Sequence, residues 1–271
     1  MGTSTHNSGQ NGRTPLVPSW LEEPSDTASS TINIEKSYDI PPDGATDRFT
    51  KPRGDFTRYI NSNGRDRSRS RKSISKYIKQ SLGGSSNAVK RLGAARLSSA
   101  NLLSIARALH SGGVSAVEQY LNITNLVGKT ASEVFITIVD FICPDGGTQD
   151  EGIAREAYIS AIEETPEIAN IPFDKLTSDQ MLLFIEKTMT NAICARITND
   201  IGNKLLFLPD DIETANTIVT QITDLISGAI SDAITELHVT PENIPQKEAI
   251  KVVDEVYKTA FDILESIGDT E

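Results

Sequence analysis

Two cysteines and three histidines are all that this 271-residue chain offers of the side chains most often used for metal, redox or nucleophilic chemistry. His6, His110 and His238 share no ligand spacing, and neither a His-Glu-x-x-His run nor a nucleophile elbow occurs. Cys143 and Cys194 each sit in an apolar run, which predicts buried free thiols and a reducing compartment. Long hydrophobic runs are missing too. The strongest, residues 134–143, is interrupted by Asp140 and falls short of the roughly 18 to 20 residues of a membrane span. Leu16-Val17 is followed at once by Pro18, so no signal-peptide core forms, and a soluble cytoplasmic protein without membrane contact is expected. Carboxylates such as Glu163-Glu164 and Asp210-Asp211 are sequence neighbours that diverge around a helix and make poor acid–base pairs. No catalytic residue, metal ligand or cofactor site emerges, and the expectation is a protein that is not an enzyme.

What the chain has is charge, unevenly placed. Residues 47–107 carry fifteen Lys/Arg against three Asp/Glu, whereas residues 108–271 carry nine against twenty-eight. The two regions should attract each other. The densest basic stretch supplies Arg65, Arg67, Arg69, Arg71 and Lys72, followed by Lys76 and Lys79 around Ile74, Tyr77 and Ile78. These seven cations are candidate phosphate contacts, but no helix-turn-helix signature, zinc spacing or interleaved aromatics accompany them. The acidic remainder of the chain, or an acidic face on a partner, is an equally good counter-charge.

Periodicity predicts a mainly α protein: a helical bundle preceded by a long, mostly disordered tail. A first helix over 68–82 ends at Gly83-Gly84, and Ser85 or Ser86 caps a second that runs to Gly112-Gly113. Gly83-Gly84-Ser85-Ser86 reads as a cap rather than a phosphate cradle, since no strand precedes it and no Gly-Lys-Ser/Thr follows. Helices are expected over 115–121, 131–143 and 153–164, and from a capping start at Thr177-Ser178-Asp179 to about Gly202. Beyond Pro209, a wide apolar stripe runs from Ile218 to Leu237; from Pro245 a second runs from Ile250 to Ile267. These two should form a hairpin through 241–245. No strand-rich region or internal repeat is evident. The expected division is a tail over 1–64, a basic helical segment over 65–112, and an acidic bundle over 113–271.

The tail carries its own message. Small polar residues give way to Pro15-Leu16-Val17-Pro18-Ser19-Trp20, which contains the only tryptophan. The polar stretch cannot bury enough surface to offset its ordering entropy. Prolines that pre-set an extended backbone beside an indole make an anchor for a partner's groove, although folding of Trp20 onto the chain's own core is the alternative. Removal of Met1 would leave Gly2 with a free α-amine of pKa about 8, far more nucleophilic at neutral pH than lysine. Myristoylation is disfavoured because its motif needs Ser or Thr where this chain has His6.

The opening Met-Gly-Thr-Ser, the proline-bracketed segment, Arg48-Phe49, Arg58-Tyr59, Ser81-Leu82-Gly83-Gly84-Ser85 and Ala88-Val89-Lys90-Arg91-Leu92-Gly93 together resemble the QatB family. This family belongs to the bacterial Qat antiphage defence system. The resemblance covers roughly the first 110 residues, with helical character alone beyond. It implies as partners an ATPase, a QueC-like enzyme and a TatD-like nuclease. QueC enzymes activate a deazaguanine carboxylate with ATP for attack by ammonia, so the amine of Gly2 is the implied point of modification. Thr3 and Ser4 would then enter the pocket, with Pro15, Leu16, Val17, Pro18 and Trp20 docking outside it. Two other readings stay open: a nucleic-acid adaptor using the basic segment, and a scaffold joining the ATPase and nuclease.

Overall fold

The computed structural model describes residues 47–143, 147–202, 212–245 and 248–268. Among them the fold is helical throughout, with a single isolated bridge between Thr130 and Pro172 in place of any sheet. The helices are α1 (Thr50–Asn61), α2 (Arg67–Lys76), α3 (Ser85–Arg91), α4 (Gly93–Leu121), α5 (Ala131–Thr137), α6 (Val139–Ile142), α7 (Gln149–Glu163), α8 (Pro166–Ala169), α9 (Ser178–Ile201), α10 (Ile212–Glu236) and α11 (Ala249–Ser266).

Helix α1 corrects the expected tail boundary. Residues 47–64 are polar in composition, but Phe56, Tyr59 and Ile60 fall on one face and are buried, and α1 packs on α2. The sequence hides this because only three strong apolar residues are spread over the twelve. Nor is there a break at residue 112 or 113 that separates a basic segment from an acidic bundle. One continuous core runs from Phe56 to Leu264, and α11 packs on α2, α3 and α4 as well as on α10.

The first predicted helix is α2, prolonged by a π-helical turn over Tyr77–Leu82 and ended by Gly83 at φ 78°. Left-handed backbone of this kind favours glycine. Neither Ser85 nor Ser86 caps the next helix: its N-cap is Gly84, with no side-chain hydrogen bond. That helix also does not run on to residue 112. It ends at Leu92, and α4 restarts at Gly93, φ 40°. A β-carbon at Gly93 would lie 2.6 Å from Oδ2 of Asp150, so the glycine admits a carboxylate from α7. Gly112-Gly113 interrupts α4 as expected, and a short helical stretch follows it. Gly113 sits at φ 66°, ψ −160°, a region nearly closed to other residues, and Val114, Val117 and Leu121 continue the buried face beyond it.

Elsewhere the expectation and the structure agree more closely. Thr177 caps α9 through a capping box with Gln180, and Gly202 is its C-cap. Two further capping boxes, Thr130 with Glu133 and Thr148 with Glu151, start α5 and α7. The second sets α7 off earlier than residue 153. The 131–143 helix is split at Ile138 into α5 and α6. Helices α10 and α11 pack together as the hairpin requires, with Ile218, Ile222, Ile226, Ile230 and Ile234 buried on the first and Val253, Val256, Tyr257, Phe261 and Leu264 on the second. Leu237 does not belong to the buried stripe; it lies beyond α10 and is exposed.

Candidate functional site: the basic segment and its buried anions

Gly2, Thr3, Ser4, Pro15, Leu16, Val17, Pro18 and Trp20 lie outside the described residues. The basic segment lies within them, on α2 and the turn that follows. Its periodicity puts Ile74, Tyr77 and Ile78 into the core, leaving the cations at the surface. Asp66 is the N-cap, accepting from the Arg69 amide, and its carboxylate also pairs with the Arg69 side chain at 2.8 Å. Arg65, Arg67, Arg71 and Lys79 are exposed, and Lys72 is half-buried. Lys76 and Arg69 instead converge on Asp55 of α1, a buried carboxylate that Arg58 also approaches. The candidate nucleic-acid contacts are therefore not all directed outward, since Arg69 and Lys76 neutralise an acid of their own domain.

A second buried anion, Asp200 near the end of α9, organises a larger network. Its carboxylate accepts from the Tyr77 hydroxyl at 2.7 Å and from Nε and Nη2 of Arg91 at 3.2 and 3.1 Å. Its backbone carbonyl accepts two bonds from Arg53, at 3.1 and 2.8 Å, which suits the negative end of a helix. Arg53 and Arg48 also lie over the ring of Phe49, which stacks on Tyr77. One turn back on α9, Arg196 is buried and binds Asp150, the residue admitted by Gly93. Burial and the adjacent Asp200 carboxylate, which also accepts its proton, hold the Tyr77 phenol well above its ordinary range. Burial likewise draws the Arg196 guanidinium down, against the pull of Asp200. Further along, Arg96 of α4 binds Asp254 of α11 through two hydrogen bonds. The basic and acidic regions do attract each other, within one molecule. These contacts join α1, α3, α4 and the π turn to α9 and α11.

A convergence that the sequence conceals joins His110, Ser178 and Glu242. Nδ1 of His110 lies 3.4 Å from the Ser178 hydroxyl and 3.3 Å from Glu242, and Ser178 donates directly to Glu242. The Ser178 bond is the main reason the Glu242 carboxyl lies below its usual range. This is not a nucleophile relay. One imidazole nitrogen meets both partners, and the serine donates its hydrogen bond to the carboxylate, with no imidazole held between them. Spacings of 68 and 64 residues leave no sequence signal for it.

Among the described residues no group of three or more His, Cys, Asp or Glu could hold a metal, and no helix is long and apolar enough to cross a membrane. Cys143 is buried and its thiol is pushed up by burial. Cys194 is half-buried, with burial pushing its thiol up to about 12. Neither has the lowered pKa of a reactive cysteine.

Among the described residues the protein is all-helical, with cations of α1, α3 and α4 paired to carboxyl and carbonyl oxygens of α9 and α11 across one continuous core. Residues 83–264 match the family model described as Qat anti-phage system associated protein QatB, and the chain belongs to that family. No curated protein and no solved structure matches it. The matched span opens at Gly83, the left-handed cap, and includes Arg91, Asp150, Arg196, Asp200 and Asp254. The tail segments of the sequence resemblance lie before it.

Proposed function

We propose that this chain is a non-enzymatic component of the Qat anti-phage system, with a helical body and an N-terminal tail recognised by a QueC-like partner and modified at Gly2. Membership of the family supports the setting. The observation that carries the reading is the tail itself, in which Gly2 precedes a polar stretch and a Pro-Leu-Val-Pro-Ser-Trp anchor ahead of the body. Once Met1 is removed, the Gly2 amine attacks a deazaguanine carboxylate that the partner has adenylylated with ATP. A carbon–nitrogen bond forms, AMP leaves with the bonding pair, and the amine loses a proton. Thr3 and Ser4 occupy the approach to the pocket, while Pro15, Leu16, Val17, Pro18 and Trp20 dock outside it. Remote docking of this kind places a weak nucleophile in a productive position.

Intact-mass and N-terminal peptide mass spectrometry of the protein, made with and without the QueC-like partner, tests this. A deazaguanine-sized addition on the Gly2 peptide, lost with the partner or on Gly2→Pro, is expected. An unmodified Gly2 in cells where defence is active refutes modification and promotes a scaffold that joins the ATPase and nuclease. The exposure of Arg67 and Arg71 on α2, with Arg65 exposed just before it, favours a second reading, nucleic-acid contact. It requires affinity that falls steeply with salt and a shallower salt slope on Arg67→Gln.

A further inference from the structure

The bend at Gly112-Gly113 folds the last two turns of α4 back beside its own middle and leaves a cavity of about 360 Å³ there. Ser104, Arg107, Ala108 and Ser111 line it from before the bend, at helical spacing. Ala116, Gln119 and Tyr120 line it from after the bend, and Ile244, Pro245 and Ala249 also line it. Alanines where larger side chains would meet leave the space open. Its volume lies within the roughly 300–1,000 Å³ of small-molecule sites.

Among the described residues Arg107 is the only charged one that lines the cavity, and no carboxylate does. Every other arginine of α3 and α4 is committed: Arg91 to Asp200 and Arg96 to Asp254. Arg107, half-buried, makes no ion pair or hydrogen bond with any described residue. A guanidinium held in a concave site without an anion offers its planar fork to a carboxylate or phosphate. Tyr120, half-exposed at 47%, adds an aromatic face to the same site, and Gln119 adds an amide that can donate or accept at a ring edge. The lining residue Ala249 opens α11, whose first turn carries no acid. Glu248, just before it, is turned to Lys251 at 3.7 Å.

We infer that this cavity is a binding site for a small planar-ring oxyanion, with Arg107 holding the carboxylate or phosphate and Tyr120 the ring. The site is independent of the tail and of its modification. Calorimetric titration of the full-length protein with AMP, indole-3-carboxylate, adenosine and inorganic phosphate tests it. AMP or the indole carboxylate should bind saturably with a dissociation constant below about 1 mM, and which of them does so identifies the oxyanion. Adenosine and phosphate, each lacking one half of the recognition, should bind at least about tenfold more weakly. Arg107→Gln should weaken binding by roughly 10- to 100-fold, with Arg107→Lys in between, since lysine keeps the charge but loses the fork. Tyr120→Leu gives a second variant whose effect depends on the ring, with about a fivefold loss expected. Absence of saturable binding by either ring anion overturns the proposal, as does affinity unchanged by Arg107→Gln. Equal affinity for phosphate alone, unmoved by Tyr120→Leu, overturns the ring half and with it the assignment.

Discussion

Replacing Asp200 by asparagine should be among the most damaging single changes this fold can suffer. The substitution keeps the shape but removes the charge that Arg91 and Tyr77 face directly and that offsets the neighbouring Arg196. Asp200 is 7% exposed and Arg196 3%, so water cannot replace the lost anion. Breaking a buried ion pair from one side costs about 3 to 5 kcal/mol. Arg91 retains 30% of its side-chain exposure and can be partly rehydrated, which places the expectation near the lower end, about 3 kcal/mol. In a domain of this size that lowers the thermal midpoint by about 6 to 12 °C. Urea unfolding should show a lower midpoint with an unchanged slope. Tyr77→Phe alone removes one charge-assisted hydrogen bond, worth about 1.5 to 3 kcal/mol. The two changes should be non-additive in a double-mutant cycle, because the double variant no longer contains the shared bond. The comparison is Asp254→Asn: Arg96 and Asp254 are 18% and 33% exposed, and its cost should be distinctly smaller. A loss below about 1 kcal/mol for Asp200→Asn, or additivity with Tyr77→Phe, would refute the claim that this network ties α3 and the π turn to α9.

Gly113→Ala forces a β-carbon into a backbone region nearly reserved for glycine and should cost about 1 to 3 kcal/mol in urea unfolding, although nothing lies within 4 Å of the new atom. Gly93→Ala should perturb Arg196 through Asp150; the signature to seek is non-additivity with Asp150→Asn, since the added methyl collides with that carboxylate. Tyr59, Tyr77, Tyr158 and Tyr257 all have phenols raised by burial, so their contribution is intact below the unfolded-state pKa near 10 and is lost as pH rises through the folded values. An alkaline titration should therefore show their phenolate absorbance appearing together with loss of helical circular dichroism, and ionisation without unfolding would contradict it. Glu186, whose carboxyl is raised by burial despite hydrogen bonds from Ser227 and Ser231, disfavours folding once it ionises, so Glu186→Gln should raise the thermal midpoint at pH 7 relative to pH 4.

The helical class of this protein, the stop at Gly83, the ends of α9, and the pairing of α10 with α11 could be read from the chain because each rests on local chemistry. A left-handed glycine, a capping box and a stripe of isoleucines one face wide act within a few residues of themselves. The charge asymmetry was equally legible, and with it the attraction between the two regions. Tertiary structure decided what those charges meet. Asp55 could have been a solvated surface acid, yet the packing of α1 on α2 buries it among Arg58, Arg69 and Lys76. Helix α1 itself was invisible for the same reason: Phe56 and Tyr59 define a face only when α2 and α9 supply the other side. Asp200 reaches Arg53, Tyr77 and Arg91 across more than a hundred residues, and His110 reaches Ser178 and Glu242 across more than sixty. Such contacts carry no periodicity because they depend on where helices cross, not on how each one forms. The cavity beside Arg107 belongs to the same category: the glycine pair announces a helix stop, but only the direction the chain takes there brings the Arg107 guanidinium and an aromatic ring to face the same space.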